Sequence, residues 1–459
     1  MSDRPLRVAV VGAGPSGLYV VDALTAQSDV PVAVDVLDRL PVPFGLVRYG
    51  VAPDHLSLRG VRDTLEKVFG KDGVRFVGGV EVGTDVSLAD LRAHYDAVVL
   101  TYGASSDRHL DIPGEDLAGS IAATDLVNWY CGHPDAPRER IEAALQDVTS
   151  VVVVGVGNVA VDVTRVLAKT EAELEHTDMP QHVLDLLEKS RITDVHVLGR
   201  RGPVQATWTI KELRELGELA DADIVVDPAE VDVPAPEDKR QAKNLEVLQG
   251  FAARELTGRP RRIQLHFRSR PVALHGVDRV ESVQVERTEL DETGAAHGTG
   301  QTWDLPAQLV VRSVGYRGLG LDGVPFDEGR HVVPSDAGRV LDGTAAVPGL
   351  YVAGWIKRGP TGIIGTNKKD AVETVASLLA DVRAGATPAA AAADPEAFDA
   401  LLAARGVEVV HFAGWRAVDA AERALGASRG RDRTTIHDRA GLRAAGRAAG
   451  AAATPLIKE

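Results

Sequence analysis

Hydrophobic residues along this chain form short β-branched runs that alternate with amphipathic helical patterns. The runs lie at 7–11, 33–37, 97–101, 151–154 and 195–198. Continuous apolar runs of this length are typical of parallel strands covered on both faces. Helical patterns lie at 18–26, 56–69, 159–168 and 179–189. The alternation predicts an α/β fold with parallel sheets and right-handed crossovers.

The strand–helix pattern starts twice, near residue 7 and again near residue 151, which predicts two nucleotide-binding folds. Between residues 225 and 310 apolar and polar residues alternate instead, as at 263–268 and 280–287. Such alternation is typical of antiparallel strands with one solvated face, so we expect both segments to be antiparallel. The tail after Ala440 is rich in alanine and glycine, and we expect it to be poorly ordered.

A glycine-rich loop with the pattern GxGxxG follows the first predicted strand. Its residues are Gly12, Ala13, Gly14, Pro15, Ser16 and Gly17. The first glycine allows a tight turn, the second lets the backbone approach a pyrophosphate, and the third lets the helix pack close to the sheet. Asp38 ends the second strand, where a carboxylate would bind a ribose hydroxyl and leave little room for a 2′-phosphate. The loop therefore predicts a site for FAD or NAD.

A second glycine loop opens the second copy of the pattern. It has the variant form GxGxxA and precedes the helix predicted at 159–168. Two arginines follow the strand at 195–198, where an NAD-binding fold would carry an acid. Because arginine offers fixed, always-charged donors to a phosphate, this fold is predicted to bind NADP. The predicted site residues are Gly155, Gly157, Asn158, Val159, Arg200 and Arg201.

The composition narrows the chemistry. A chain of 459 residues is long enough for two or three domains. Its one cysteine, Cys131, excludes an intramolecular disulfide, a CxxC redox pair, a cysteine-ligated cluster and a thiolate zinc site. The net charge of −15 argues against general nucleic-acid binding. No apolar run approaches the ~20 residues that a membrane-spanning helix needs, so we expect a cytoplasmic protein.

Four longer stretches carry a family pattern. They are 45–55 (GLVRYGVAPDH), 155–160, 199–203 (GRRGP) with 210–216 (IKELREL), and 352–370 (VAGWIKRGPTGIIGTNKKD). With them the chain resembles the adrenodoxin-reductase-like family of ferredoxin–NADP+ reductases, including its actinobacterial members, from about residue 5 to about residue 440. The resemblance implies two Rossmann-like dinucleotide-binding domains in a glutathione-reductase-like arrangement. FAD would be bound by residues 1–107 and 320–459, the latter with a C-terminal extension, and NADP by residues 108–319.

The same resemblance implies a flavoprotein that transfers hydride from NADPH to FAD and then single electrons to a ferredoxin. The residues that it places against FAD are Leu46, Val82 (expected on a strand), Trp355, Gly362, Ile363 and Ile364. Gly362 would also meet NADP. His55 would lie beside the flavin and Glu212 near the nicotinamide, where they could orient the ring or relay protons. The alternatives are a structural histidine and a glutamate on a solvated helix face.

The sequence departs from the family pattern at two places. Leu56-Ser57-Leu58-Arg59 follows His55 where the family commonly has Pro and Lys, and Trp208 stands where Phe is frequent. Ferredoxins are usually acidic, so the resemblance also implies a basic docking face on this acidic chain. The candidates are Arg214, Lys239, Arg240 and Lys243, with a second cluster of Arg259, Arg261 and Arg262. The alternative for such a charge run is a solvated face.

Other functions stay open at this point. A flavin monooxygenase and a glutamate-synthase-type NADPH electron-input module are alternative enzymes, although the latter is expected to carry a cysteine-rich N-terminal extension. A disulfide reductase of the thioredoxin or lipoamide type is excluded by the cysteine count. A nucleotide-sensing protein without turnover is an alternative from another class. A cytochrome P450 system as the final acceptor is an analogy only.

Overall fold

The computed structural model describes residues 4–452, with side chains up to residue 447. The chain forms two compact units. The first consists of Met1–Ser106 and Tyr316–Glu459, and the second of Asp107–Gly315. Each unit is built around its own sheet.

The strands in chain order are β1 (Leu6–Val11), β2 (Val32–Asp38), β3 (Val74–Gly78), β4 (Ala97–Leu100), β5 (Ser106–Asp107), β6 (Ser120–Ala122), β7 (Ser150–Val154), β8 (Asp194–Gly199), β9 (Ala222–Val226), β10 (Arg261–Phe267), β11 (Ser269–His275), β12 (Ser282–Leu290), β13 (Ala296–Pro306), β14 (Leu309–Arg312), β15 (Tyr316–Arg317), β16 (Ser335–Asp336), β17 (Arg339–Asp342) and β18 (Ala345–Val352).

The α-helices are α1 (Pro15–Thr25), α2 (Leu46–Tyr49), α3 (Leu56–Arg59), α4 (Val61–Glu66), α5 (Leu88–His94), α6 (Ala123–Tyr130), α7 (Arg138–Leu145), α8 (Asn158–Ala168), α9 (Glu171–Leu174), α10 (Gln181–Glu188), α11 (Ile210–Leu216), α12 (Pro228–Val231), α13 (Lys239–Ala252), α14 (Trp355–Arg358), α15 (Thr366–Arg383), α16 (Pro395–Ala404), α17 (Phe412–Ala427) and α18 (Arg439–Ala452). Short 3₁₀ helices lie at Lys67–Gly70 and Pro203–Gln205.

The sheet of the first unit has the strand order β16-β17-β18-β4-β1-β2-β3. Its strands from β18 to β3 are parallel, and β16 and β17 add an antiparallel edge. The runs predicted at 7–11, 33–37 and 97–101 are confirmed as β1, β2 and β4. β3 was missed because its run contains a charged residue, Arg75, which pairs with the buried Asp35 of β2. The helix predicted at 56–69 is broken at Gly60 into α3, α4 and a 3₁₀ turn.

The sheet of the second unit is entirely parallel, in the order β6-β14-β7-β8-β10-β9. Beside it in sequence lies an antiparallel three-stranded sheet, β11-β12-β13. The expectation of antiparallel pairing is therefore confirmed for 280–287, within β12. It is wrong for 263–268, since β10 runs parallel between β8 and β9.

The alternation in β10 has a different cause from a solvated face. Ile263 and its apolar neighbours at every second position are buried. The intervening polar side chains bond to the adjacent strand β8: Gln264 donates to Asp194 at 2.9 Å, and His266 meets His196. Polar pairs between parallel neighbours thus reproduce the pattern of an antiparallel strand.

The histidine pair predicts how stability depends on pH. Nδ1 of His196 and Nε2 of His266 are 3.0 Å apart. Burial, reinforced by His266, lowers the pKa of His196 to about 4. The unfolded chain takes up this proton near pH ~6.5, whereas the folded chain resists it until about pH 4. Stability from this group is therefore complete above pH ~6.5 and falls as the pH decreases, by about 3 kcal/mol at pH ~4.

The measurement is urea unfolding at several pH values between these limits, for the wild type and His196→Asn. Because ordinary carboxylates also titrate there, the informative quantity is the difference between the two proteins. We expect the wild type to lose more unfolding free energy with falling pH than the variant does. Parallel curves would contradict the assignment to His196.

The C-terminal region is more regular than the sequence suggested. The expectation of poor order after Ala440 is wrong as far as Ala452, because α18 covers this part. Alanine is the strongest helix former, and Leu442 anchors the helix with a fully buried side chain. Residues 453–459 lie outside the described residues. Within residues 4–452 no helix is long and apolar enough to cross a membrane.

Candidate functional site

The first glycine loop joins β1 to α1 at the carboxyl end of the sheet. The Gly12 N–H donates to the carbonyl of Leu37 on β2 at 2.8 Å. Gly12 has φ +111°, and a Cβ there would lie 2.8 Å from the Thr101 carbonyl oxygen. A Cβ on Gly17 would lie 2.0 Å from the Gly12 carbonyl oxygen. Both positions therefore need glycine for the turn and the helix to meet.

Gly14 differs, because the protein itself leaves room for a side chain there. The nearest atom to a Cβ on Gly14 is Cα of Gly45, at 3.8 Å. α1 begins with Pro15 directly after Gly14, and no described side chain caps its first turn. Open space before uncapped amides at a helix N-terminus suits an anion. The loop thus fits the pyrophosphate of a dinucleotide.

Asp38 ends β2, as predicted, and its carboxylate is tied to the glycine loop. One oxygen accepts the Ala13 N–H at 2.8 Å and the other accepts the Leu40 N–H at 2.9 Å. Burial raises the pKa of Asp38. A carboxylate can accept about four hydrogen bonds, so two further acceptor positions are available for ribose hydroxyls.

The C-terminal segment 355–367 is hydrogen-bonded to the first glycine loop. Oδ1 of Asn367, in the first turn of α15, accepts the Ser16 hydroxyl at 3.1 Å and an Arg358 N–H at 2.7 Å. The Trp355 ring stacks on Tyr316 with 5.5 Å between centroids. The buried Trp355 Nε1 has no hydrogen-bond partner among the described residues. A buried donor left in this state fits a site that a cofactor completes.

The other predicted FAD contacts differ in their surroundings. Leu46 and Ile363 are 37% and 65% exposed, which is unusual for large apolar side chains and suits a surface that a ring system would cover. Gly362 and Ile364 lie beside Ile363 in the turn before α15. Val82 is on an isolated bridge with Val86, so the expectation of a strand there is wrong. His55 is 5% exposed and begins α3.

The second glycine loop repeats the construction of the first. The Gly155 N–H donates to the carbonyl of Leu198 on β8 at 2.9 Å, as Gly12 does to β2. Gly155 has φ +133°, and a Cβ there would lie 2.2 Å from the Ser313 carbonyl oxygen. Around Gly157 the nearest atom to a Cβ is 3.6 Å away, so this position is again open. Asn158 starts α8 beside the half-buried Val159, and its side chain accepts the Thr209 N–H at 2.9 Å.

The two predicted arginines lie where β8 ends, and the structure adds a third. Arg200 is exposed and Arg201 half-buried. The Arg268 N–H donates to the Arg201 carbonyl at 3.0 Å, which places Arg268 at the end of the adjacent strand β10. None of the three guanidinium groups has a carboxylate partner within the described part of the chain. Sequence reasoning missed Arg268 because it assigned β10 to an antiparallel sheet, and only parallel pairing brings both strand ends to one edge.

Glu212 is buried and not on a solvated helix face. Its side chain on α11 is 8% exposed, and Oε2 has no hydrogen-bond partner among the residues that the structure describes. Such a carboxylate oxygen is costly unless a ligand donor reaches it. Trp208, by contrast, is fully buried and packs edge-to-face on Phe267 at 5.9 Å. The family difference at residue 208 is therefore a change in the core of the second unit.

Two glycine loops of one construction, each between a parallel strand and a helix, define a protein with two Rossmann-like dinucleotide-binding folds, which confirms the predicted fold class. The family model described as pyridine nucleotide-disulphide oxidoreductase matches residues 6–201. NADPH-ferredoxin reductase FprA of Mycobacterium tuberculosis is 44% identical over 450 residues, covering 94% of this chain and 97% of the relative.

Two further comparisons agree. Human mitochondrial NADPH:adrenodoxin oxidoreductase is 40% identical over 457 residues, covering 95% of this chain and 91% of the relative. The solved structure of M. tuberculosis FprA in complex with NADPH matches with a TM-score of 0.90 at 42% identity, over 96% of this chain and all of that one. The chain belongs to the family of NADPH-ferredoxin and NADPH:adrenodoxin reductases, as the sequence motifs predicted, and it is an oxidoreductase.

Proposed function

We propose that this protein is an FAD-containing reductase that takes electrons from NADPH and delivers them singly to a ferredoxin. The first unit binds FAD and the second binds NADP(H). The main support is that two glycine loops of the same construction have opposite charges beside them. Asp38 stands at the first loop and repels a 2′-phosphate, whereas Arg200, Arg201 and Arg268 stand at the second and attract one.

FAD, when bound, accepts two electrons from NADPH and releases them one at a time. The backbone of residues 12–17 and the amide end of α1 hold its pyrophosphate, and Asp38 holds its ribose. The side of the ring system is covered by Leu46, Val82, Trp355, Gly362, Ile363 and Ile364. The amide end of α15, directly after residue 364, supplies positive potential that favours the reduced, anionic ring.

On the second unit the open position at Gly157 and the amide end of α8 bind the pyrophosphate of NADP(H), with Gly155, Asn158 and Val159. The arginines at the ends of β8 and β10 bind the 2′-phosphate. Glu212 accepts a hydrogen bond from the nicotinamide end, for which its free Oε2 is available. These residues orient the cofactors, and alignment is what the transfer step needs most.

Anaerobic addition of NADPH to the purified holoprotein tests the reductase proposal. We expect the oxidised-flavin absorbance to bleach, and cytochrome c to be reduced only when a ferredoxin is added. A flavin monooxygenase would instead consume oxygen with an organic substrate and need no ferredoxin. A nucleotide sensor would bind NADPH and leave the flavin oxidised, and that result would end the reductase proposal.

His55→Ala is expected to slow flavin reduction by NADPH about tenfold while the Kd for NADPH changes less, because His55 is proposed to lie beside the flavin and to affect alignment. Stopped-flow kinetics at saturating NADPH measures the first quantity and its concentration dependence the second. His94→Ala is the control, since His94 lies on α5 in the same unit and bonds only to the Asp90 carbonyl at 2.8 Å. An unchanged reduction rate in His55→Ala would overturn the role.

The docking face is proposed on helices α11 and α13. Arg214, Lys239, Arg240 and Lys243 have exposed side chains there. The cluster at 259–262 is less suitable, because its side chains are bound within the unit. Arg262 pairs with Asp194 at 2.7 Å, and Arg259 and Arg261 donate to main-chain carbonyls. An acidic iron–sulfur protein therefore finds free cations mainly on α11 and α13.

Lys243→Glu is expected to raise the KM for ferredoxin roughly threefold to tenfold at low salt, and the difference should shrink as salt rises, because exposed charges steer association and are screened. Reduction of ferricyanide should not change. Lys67→Glu makes the same charge change at an exposed site on the first unit. Equal effects of the two substitutions would show that only the total charge matters. The predicted cytoplasmic location remains a prediction.

A further inference from the structure

Helix α17, in the C-terminal region, carries two side chains that reach the segment 44–59. Trp415 and Glu422 are spaced by two helical turns, so they lie on one face of α17. Both are fully buried, with 0% exposure. This segment carries Leu46 and His55, which are assigned above to the flavin.

Trp415 supports a strained point of the segment. Its ring packs edge-to-face on Phe44, with 5.3 Å between centroids. Phe44 has φ +87°, a conformation that a bulky residue rarely adopts. The Phe44 N–H donates to the carbonyl of Ala13 at 2.8 Å. Strain of this kind persists only where surrounding groups hold it, and here it places the chain directly against the first glycine loop.

Glu422 binds the next turn of the segment. Its carboxylate accepts a bidentate pair of hydrogen bonds from Arg48 of α2, one of them at 3.1 Å. It also accepts from Arg433 at 2.6 Å and from the Ile436 N–H at 2.9 Å. The Arg48 guanidinium lies over the Trp415 ring at 5.5 Å. Removing either member of such a buried pair leaves an unpaired charge.

The contacts continue from Arg48 to His55. The Arg48 carbonyl accepts from the Arg59 guanidinium at 2.9 Å, and the same guanidinium donates to the Val51 carbonyl at 3.0 Å. The Arg59 N–H in turn donates to the His55 carbonyl at 3.1 Å. An unbroken series of bonds therefore joins α17 to the residue that begins α3.

We propose that Trp415 and Glu422 are positioning residues of the FAD site. They hold segment 44–59 against the first glycine loop, so that Leu46 and His55 face the flavin in one fixed arrangement. The C-terminal helix thereby contributes to the site without contacting the reacting atoms. This inference rests on the proposed function, because the flavin assignment of Leu46 and His55 comes from it.

Glu422→Gln tests the proposal, with Asp35→Asn as the matched control. Asp35 is also a carboxylate with 0% exposure in the first unit. It is likewise held by two arginines, Arg7 at 2.9 Å and Arg75 at 2.8 Å. Both substitutions should lower Tm, because each leaves buried cations unpaired. The distinguishing measurements are the Kd of the apoprotein for FAD and the visible circular dichroism of the bound flavin.

We expect Glu422→Gln to raise the FAD Kd about tenfold or more and to change the flavin dichroism, since misplaced contacts lose alignment. Asp35→Asn should stay within about twofold of wild type in Kd. Unchanged Kd and dichroism in Glu422→Gln, or equal changes in both variants, would overturn the proposal. If Glu422→Gln does not fold, Trp415→Phe is measured in the same way against the same criteria. Bleaching of the wild type by NADPH is scored separately, so failure of the proposed function is recognised independently.

Discussion

Gly14→Ala is expected to lower the affinity of the apoprotein for FAD by about 100-fold, or about 2.7 kcal/mol. The methyl group would occupy the space through which the pyrophosphate approaches the backbone. The protein itself accepts the change, since the nearest atom to the new Cβ is 3.8 Å away and the backbone at φ −78° and ψ −177° suits alanine. The Tm of the apoprotein should therefore change little.

Isothermal titration of apoprotein with FAD and thermal unfolding of the apoprotein measure the two effects separately. Gly17→Ala is the informative comparison, because its Cβ would lie 2.0 Å from a backbone oxygen. That variant should lose both stability and FAD binding. If Gly14→Ala bound FAD as tightly as wild type, the pyrophosphate would not pass Gly14, and the assignment of the first glycine loop would be wrong.

The double variant Arg200→Ala/Arg201→Ala is expected to lower kcat/KM for NADPH at least about 100-fold and to leave NADH activity nearly unchanged. A hydrogen bond to a charged group contributes about 1.5–3 kcal/mol, and two such groups would be lost. NADH lacks the 2′-phosphate and gains nothing from either arginine. The ratio of kcat/KM for the two nucleotides is therefore the quantity to measure.

Arg268→Ala, measured in the same assay, tests the third arginine. We expect the NADPH to NADH ratio to fall about tenfold, because one charged donor is removed. Arg262→Ala is its control: this exposed arginine lies on the same strand β10 but pairs with Asp194. An unchanged ratio in Arg268→Ala would place that side chain outside the nucleotide site.

The sequence alone identified features that depend on a few adjacent residues. The turn at Gly12, the start of α1 after Gly14 and the acid at the end of β2 follow from local backbone conformation and from hydrophobic runs, so they could be located by pattern. The same holds for the second loop, for Arg200 and Arg201, and for the start of α15. The family motifs were also read directly from contiguous residues.

Long-range pairing decided the rest. β10 has an alternating pattern that also suits an antiparallel strand, and only its parallel position beside β8 brings Arg268 to Arg201. Burial of Glu212 on a helix of mixed charge could not be read from IKELREL, because it depends on what packs against α11. Val82 was expected on a strand, but it lies on an isolated bridge.

The sequence by itself determined that this protein has two dinucleotide-binding folds, a carboxylate at the first, arginines at the second and a single cysteine. Each of these is a property of residue type and short spacing. Only the tertiary structure joined Glu422 to Arg48 and Trp415 to Phe44 across hundreds of residues. Such contacts depend on shape and buried charge, which no local pattern records.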